Sequence, residues 1–289
     1  MKMVQSPKRE SEIIGCALLL MMFLLFLCSL FTGVIANAFL SVIVNIAAKI
    51  LIFGIPIGII LLAVRRGRLS LHETGELPPR NRRWLTVLSS IGVIILLQML
   101  YGSVFPSALT QIGLQKDTAA GLFVLLFLLH VLIPAFTEEI FFRGIMQRSM
   151  KVFRASLSIL MSAVAFALMH FSVEFFPIAF VCGLVLGLAY SFTGSLTATI
   201  GIHACCNAFW FVSEAIGVYF AESYAVYMRI CLTMCVLLAS FGLPFLKENM
   251  LSVFSDGEEN TEPSSQFWTM PMILFFIFAI GVQLITQAL

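Results

Sequence analysis

Nine long runs of apolar residues divide this chain, and their length restricts its fold more than any other feature. Each run has about 20 residues, the length that an α-helix needs to cross the hydrocarbon core of a bilayer. The chain is 60% hydrophobic and 11% charged, whereas soluble domains contain about 25% charged residues. We therefore predict an all-α polytopic membrane protein with a bundle of eight to nine transmembrane helices. The predicted spans are residues 13–36, 43–64, 84–104, 120–142, 156–172, 176–192, 197–217, 226–246 and 267–287.

The loops between these runs divide the chain into three parts. Residues 1–104 contain the first three helices and a basic loop, and residues 105–246 contain helices 4 to 8, where polar groups inside the spans are more frequent. Residues 247–289 contain an acidic linker and a last apolar helix, which we expect to be appended to the core.

Two Gly-x-x-x-Gly pairs predict places where helices approach closely, because small residues let helix backbones come together. One pair, Gly183 and Gly187, lies on helix 6. The other pair, Gly54 and Gly58, lies on helix 2, with Pro56 between them. We expect close packing at both.

Basic residues are concentrated in alternate loops, which predicts the orientation of the bundle. Cytoplasmic loops of membrane proteins carry an excess of Lys and Arg, and a cytoplasmic N-terminus places 14 of the 17 Lys and Arg residues in such loops. They are Lys2, Lys8, Arg9, Arg65, Arg66, Arg68, Arg80, Arg82, Arg83, Arg143, Arg148, Lys151, Arg154 and Lys247. We expect an uncleaved first helix and a prokaryotic cytoplasmic membrane. This charge pattern belongs to the bilayer and gives no indication of nucleic acid as a partner.

Two adjacent glutamates, Glu138 and Glu139, lie at the end of an apolar run, with Arg143 four residues after the second. Ionisable groups at membrane depth cost roughly 2.5–3.5 kcal/mol each on insertion scales and usually mark a functional site. Glu139 and Arg143 are at i and i+4, so they can pair on one helix face. Glu138 points about 100° away and is free to face something else. An ion pair held near the lipid headgroups is the structural alternative.

Two histidines and an asparagine lie on neighbouring predicted helices at comparable depth. At 1.5 Å per residue, Glu138 lies roughly 15 Å and His170 roughly 22 Å from the cytoplasmic ends of their helices. His203 and Asn207, at i and i+4, lie roughly 9–15 Å from that end of helix 7. Helices 4, 5 and 7 can therefore surround one conical polar cavity, which we expect to open to the cytoplasm.

Hydrolysis of an amide bond is a reaction that these groups can perform. A carboxylate removed from water takes up a proton more readily, so a glutamate and a histidine can hold and activate a water molecule. A histidine and an asparagine amide can stabilise a developing oxyanion. A glutamate and two histidines can also bind zinc, but the chain contains no His-Glu-x-x-His motif. A serine nucleophile is left open, although the Gly-x-Ser-x-Gly elbow is lacking.

These three pieces resemble the motifs of the CAAX prenyl endopeptidase and bacteriocin-processing family of intramembrane glutamic proteases. Glu138–Arg143 is similar to its Glu-Glu-x-x-x-Arg signature, Phe166–His170 to its Phe-x-x-x-His motif and His203–Asn207 to its His-x-x-x-Asn motif. The motifs occur in the order of the family, and their region covers residues 121–210, about a third of the chain.

The resemblance implies a role for each matching residue. Glu138 would be the general base, His170 its partner in activating water, and His203 and Asn207 the oxyanion stabilisers. Glu139, Arg143 and Phe166 would support them. These seven residues are the predicted site.

The resemblance further implies an endopeptidase that needs no cofactor and no metal, acting on a membrane-anchored protein or peptide substrate such as a lipidated protein or a peptide precursor. Two alternatives are a non-catalytic immunity or scaffolding factor of the same family and an ion-coupled transporter.

Overall fold

Nine helices form the computed structural model, which describes residues 6–32, 35–72, 79–106, 112–255 and 262–288. This part of the chain contains no strand, and the helices correspond one to one with the nine predicted runs, so the predicted fold class is confirmed. They are α1 (Pro7–Thr32), α2 (Ala38–Arg65), α3 (Arg80–Val104), α4 (Ala120–Met150), α5 (Ala155–Leu168), α6 (Phe176–Thr193), α7 (Leu196–Tyr219), α8 (Ala221–Ser255) and α9 (Met270–Ala288). A short 3-10 turn, Ser264–Phe267, precedes α9.

Seven of these helices are long and apolar enough to cross a bilayer, and the chain is an integral membrane protein. The other two, α5 and α9, are shorter apolar helices. Because α5 has 14 residues, it extends for about 21 Å, less than the roughly 30 Å thickness of a hydrocarbon core. The helix was expected to continue to residue 172 but ends at Leu168, so His170 lies in the turn two residues after that end.

Helix α4 carries the paired glutamates and is not a uniform α-helix. Two stretches of it, Leu128–Leu132 and Ile140–Gln147, have π-helical hydrogen bonding. The second stretch begins directly after Glu139. Such π segments widen the helix and frequently occur at functional sites.

A tight turn joins α6 to α7 and places them side by side. Gly194 ends α6 at a φ of 60°, a left-handed conformation that glycine adopts without steric cost. The Ser195 hydroxyl then caps α7 by accepting a hydrogen bond from the Ala198 backbone N–H at 3.2 Å. This turn fixes the start of the helix that carries His203 and Asn207.

Small residues determine where the helices pack most closely. A Cβ built on Gly92 of α3 would lie 2.7 Å from the Leu238 Cβ of α8. A Cβ on Gly183 of α6 would lie 3.0 Å from the Ala163 Cα of α5. Gly187 likewise faces Ile159 of α5, so the predicted close packing of helix 6 is confirmed.

The corresponding prediction for helix 2 is wrong. A Cβ built on Gly54 or on Gly58 would meet nothing within 4 Å, so neither glycine lies at a helix contact. The Gly-x-x-x-Gly pattern identifies a face with little side-chain bulk, but it does not say whether another helix covers that face. On α2 that face is left uncovered among the described residues.

The last helix, α9, packs along α1. A Cβ on Gly15 would lie 2.7 Å from the Met272 backbone nitrogen, and the Ser11 hydroxyl donates to the Phe267 carbonyl at 2.5 Å. The Gln283 amide of α9 also donates to the Leu168 carbonyl at the end of α5, at 3.3 Å. Through these contacts α9 supports the end of the helix from which His170 follows.

Candidate active site

A buried ion pair on α4 forms the base of the site. The Arg143 Nη1 atom donates to Glu139 Oε1 at 2.8 Å, and both side chains have no exposed surface. The i, i+4 spacing that predicted this pair places both groups on the side of α4 that faces its neighbours. The Glu139 carboxylate is therefore neutralised and held away from the bulk phase.

Arg143 also attaches α4 to two other helices. Its Nη2 atom donates to the Gly183 carbonyl of α6 at 3.0 Å. Its guanidinium carbon lies 4.8 Å from the centre of the Phe166 ring of α5, within the range of a cation–π interaction. Gly183 is the glycine that packs against α5, so one arginine holds together the helices on which the predicted site depends.

His203 of α7 lies between the two glutamates. Its Nδ1 atom is 2.9 Å from Glu139 Oε1, and because a carboxylate only accepts, Nδ1 is the donor. Its Nε2 atom is 4.0 Å from Glu138 Oε2, which exceeds hydrogen-bond range. The ring is thus oriented by Glu139 and presents its second nitrogen toward Glu138.

His170 is oriented by a backbone carbonyl of the helix that precedes it, α5. Its Nδ1 atom is 2.9 Å from the Phe166 carbonyl, which can only accept, so Nδ1 donates and Nε2 of a neutral ring is left as an acceptor. The Phe166 ring packs edge-on against both histidines, with ring centres 5.0 Å from His170 and 5.8 Å from His203. Phe166 therefore spaces the two imidazoles as well as contacting Arg143.

A cavity of about 380 Å³ brings together four of the predicted residues, Glu138, His170, His203 and Asn207, and Phe166 also lines it. The side chain of Glu138 is 13% exposed, whereas that of Glu139 is fully buried. The two neighbouring carboxylates thus have different environments. Glu138 faces the cavity and Glu139 lies behind it with Arg143, where it supports His203.

Several polar lining residues were missed by the sequence analysis. Lys49 of α2 and His130 of α4 line the cavity. Gln98 of α3 and Trp210 of α7 also line it, and the Trp210 indole N–H donates to Gln98 Oε1 at 3.0 Å. Lys49 and His130 are ionisable residues inside apolar spans, a signal that was present in the sequence and could have identified them.

The cavity extends in the direction opposite to the one predicted. We expected it to open at the end of the bundle where α4 terminates. The lining instead continues from Glu138 toward His130, closer to the start of α4, and includes Ile112 in the loop before that helix. In the other direction along α4, Phe141, Arg143 and Met146 are fully buried and close the bundle.

In the described part of the chain, no group of three or more His, Cys, Asp and Glu side chains is arranged to hold a metal ion. Glu139 and His203 contact each other directly, since Glu139 Oε1 accepts from Arg143 and His203 Nδ1 donates to that same oxygen. One carboxylate oxygen and one imidazole nitrogen are therefore engaged in protein contacts.

Comparison with protein families gives a match over the region that carries the site. Residues 120–209 match the family model of the Rce1-like type II CAAX prenyl endopeptidases, which confirms the resemblance seen in the motifs. The matched segment contains all seven predicted site residues and the histidine at position 130. No curated protein and no solved structure matches the chain.

Proposed function

We propose that this chain hydrolyses a peptide bond of a membrane-associated substrate with an activated water molecule. The match of residues 120–209 to the family model of the Rce1-like type II CAAX prenyl endopeptidases supports this proposal. The observation that carries the proposal is the separation of the two glutamates. One carboxylate faces a cavity together with two histidines and an asparagine, and its neighbour is neutralised by a buried arginine.

The first step is the activation of water by Glu138. Its carboxylate lines the cavity and has no hydrogen-bond partner among the described residues, so it is free to accept a proton from a water molecule. His170 presents the Nε2 acceptor to the same cavity and can hold the second hydrogen of that water. Glu139 is unsuited to this role because its buried oxygens face Arg143 and His203.

The attack and the collapse then follow in the same cavity. The hydroxide adds to the carbonyl carbon of the substrate, and the carbonyl oxygen becomes an oxyanion. The Asn207 amide stabilises this oxyanion, joined by His203 Nε2–H when that ring carries a proton on both nitrogens. When the C–N bond breaks, Glu138 returns its proton to the departing nitrogen. The products are a carboxylic acid and an amine, with no covalent intermediate on the protein.

The ion pair and its contacts explain how the site keeps its geometry. Glu139 holds His203 Nδ1 and so fixes the direction of the ring, in the same way that a buried carboxylate orients the histidine of a hydrolytic triad. Arg143 pairs with Glu139 and attaches α4 to α5 and α6. The reacting groups are thus held on three helices before a substrate enters.

A comparison of peptide termini in membranes tests this proposal. Cells would carry the wild-type protein, Glu138→Gln or the control Glu222→Gln at matched expression, where Glu222 is an exposed carboxylate in the first turn of α8. We expect a set of new termini with the wild type and the control that is lost with Glu138→Gln. Identical termini in all three strains, together with a phenotype that Glu138→Gln retains, would instead support a scaffolding or immunity role.

A further inference from the structure

The position of the cavity along the bundle shows from which end the site is reached. At 1.5 Å per residue, Glu138 lies about 18 Å from the Met150 end of α4 and His130 lies about 30 Å from it. On α7, His203 lies about 10 Å from the Leu196 end and Trp210 about 21 Å. The lining therefore continues from the reacting groups toward the end of the bundle where α4 begins and α7 terminates.

Structure at that end confirms that the cavity reaches the loops there. Ile112, which lines the cavity, precedes α4. The loop is fixed by Glu214 of α7, whose carboxylate accepts from the backbone N–H groups of Ile112 and Leu114 at 2.8 and 3.0 Å. Phe175, in the turn between α5 and α6, lines the cavity from the opposite side. We call this end of the bundle the open end.

The other end of the bundle is sealed. Beyond Glu139, Phe141, Phe142 and Met146 have no exposed surface. The Gln147 amide crosses from α4 to α6, where it donates to the Gly187 carbonyl at 2.9 Å and to the Ser191 hydroxyl at 3.1 Å. Buried side chains and this hydrogen bond thus fill α4 and its contact with α6 between Glu138 and the sealed end.

Charge is distributed very unequally between the two ends. The sealed end carries twelve basic residues that are at least partly exposed: Lys8, Arg9, Arg65, Arg66, Arg68, Arg80, Arg82, Arg83, Arg148, Lys151, Arg154 and Lys247. In the half of the bundle toward the open end, the described residues include two exposed basic residues, Lys116 and Arg229, and three exposed acidic residues, Asp117, Glu174 and Glu222. Segments rich in Lys and Arg remain in the cytoplasm, so this asymmetry assigns the sealed end to the cytoplasm.

The direction of the cavity lining and the distribution of basic residues are independent observations, and they agree. We propose that the active site is entered from the extracytoplasmic half of the membrane. This inference rests on the proposed function above. The substrate is then a membrane-anchored polypeptide whose cleaved segment lies at the extracytoplasmic face. A lipidated C-terminus presented from the cytoplasm would meet the sealed, basic end of the bundle instead of the cavity.

The native lysines test the orientation without any substitution. Intact cells and permeabilised membranes would be treated with a membrane-impermeant sulfonated succinimidyl ester, and the modified lysines would be identified by mass spectrometry. We expect Lys116 to react to the same extent in both samples, and Lys8 and Lys247 to react only after permeabilisation. Lys116→Arg serves as the control, because it should remove the labelled peptide that is assigned to the open end. Reaction of Lys8 and Lys247 in intact cells, with Lys116 protected, would overturn the proposal.

Access to the cavity needs a reporter inside it. In His130→Cys, a charged, impermeant thiosulfonate should modify the new cysteine in intact cells, and the wild type supplies the background from the seven native cysteines. Lys49→Cys provides a second reporter on α2, and the lysine labelling pattern shows whether each variant is correctly inserted. Modification of both reporters only after permeabilisation would contradict entry from outside.

The sidedness and the proteolytic function can fail separately. Labelling requires no turnover, so Glu138→Gln should give the same pattern as the wild type. If no new termini are found but His130→Cys is modified from outside, the protease proposal fails and the extracytoplasmic cavity stands. If termini are found and all lie in cytoplasmic segments, the protease proposal stands and the entry proposal fails.

Discussion

Removal of Arg143 is the change whose effect follows most directly from the structure. The guanidinium is fully buried, pairs with Glu139 at 2.8 Å and donates to the Gly183 carbonyl at 3.0 Å. In Arg143→Met the carboxylate of Glu139 remains in the bundle without its cation. Breaking a buried pair by removing one partner costs about 3–5 kcal/mol of unfolding free energy. We expect about 3 kcal/mol, because His203 Nδ1 remains as a partner of Glu139.

The double variant Glu139→Gln/Arg143→Met isolates the contribution of the charge. Replacing both members of a buried pair leaves no unpaired ion, and such replacements are often close to neutral. We therefore expect the double variant to recover most of the lost stability while His203, deprived of its carboxylate, keeps activity low. The free energy of unfolding would be measured by reversible denaturation in mixed micelles, with the exposed Arg66→Met as the control, which should change it by less than about 0.5 kcal/mol.

Two results would refute this reasoning. One is a cost for Arg143→Met below about 1 kcal/mol, the range of a surface ion pair, which would mean that the pair is solvated. The other is a double variant that is as unstable as the single one, which would mean that packing against Phe166 matters more than charge.

Three further predictions concern the packing and the chemistry. Gly242→Ala should destabilise the protein by roughly 1–3 kcal/mol, since its Cβ would overlap the Ser89 side chain; thermal unfolding should show this loss, while Gly54→Ala, whose Cβ meets nothing within 4 Å, should show none. His170→Ala should lower kcat by about 10²–10⁴-fold with a much smaller change in KM; a raised KM with unchanged kcat would instead assign it to substrate binding. Activity of the purified protein should survive strong chelators, and loss that zinc restores would favour the metal alternative.

The helices could be predicted well because hydropathy alone determines them. All nine runs became helices, and one instructive difference lies at the end of helix 4, which was expected at residue 142 and continues to Met150. Hydropathy counts Arg143 and Gln147 as polar, but in the structure both are buried and bonded to carbonyl groups of α6. Their polarity is satisfied inside the bundle, so the helix continues.

The site could be predicted only where local periodicity determines it. The pairing of Glu139 with Arg143 follows from helical spacing, but the bond from His203 to Glu139 joins residues 64 positions apart and depends on how α4 and α7 pack. The contribution of Lys49 is likewise a matter of packing, because it comes from a helix outside the motif region. The direction of the cavity also requires the structure, since it depends on which side chains of the neighbouring helices line it.

Turnover by the purified protein tests the central claim most directly. Wild type, Glu138→Gln and Glu222→Gln would be reconstituted in liposomes with the membrane-anchored peptide identified from the comparison of termini, and hydrolysis would be followed by mass spectrometry. The account predicts that Glu138→Gln folds normally and loses at least about 10²-fold in kcat, while Glu222→Gln keeps the wild-type rate. Wild-type turnover by Glu138→Gln would contradict the assignment of Glu138 as the general base and with it the proposed mechanism.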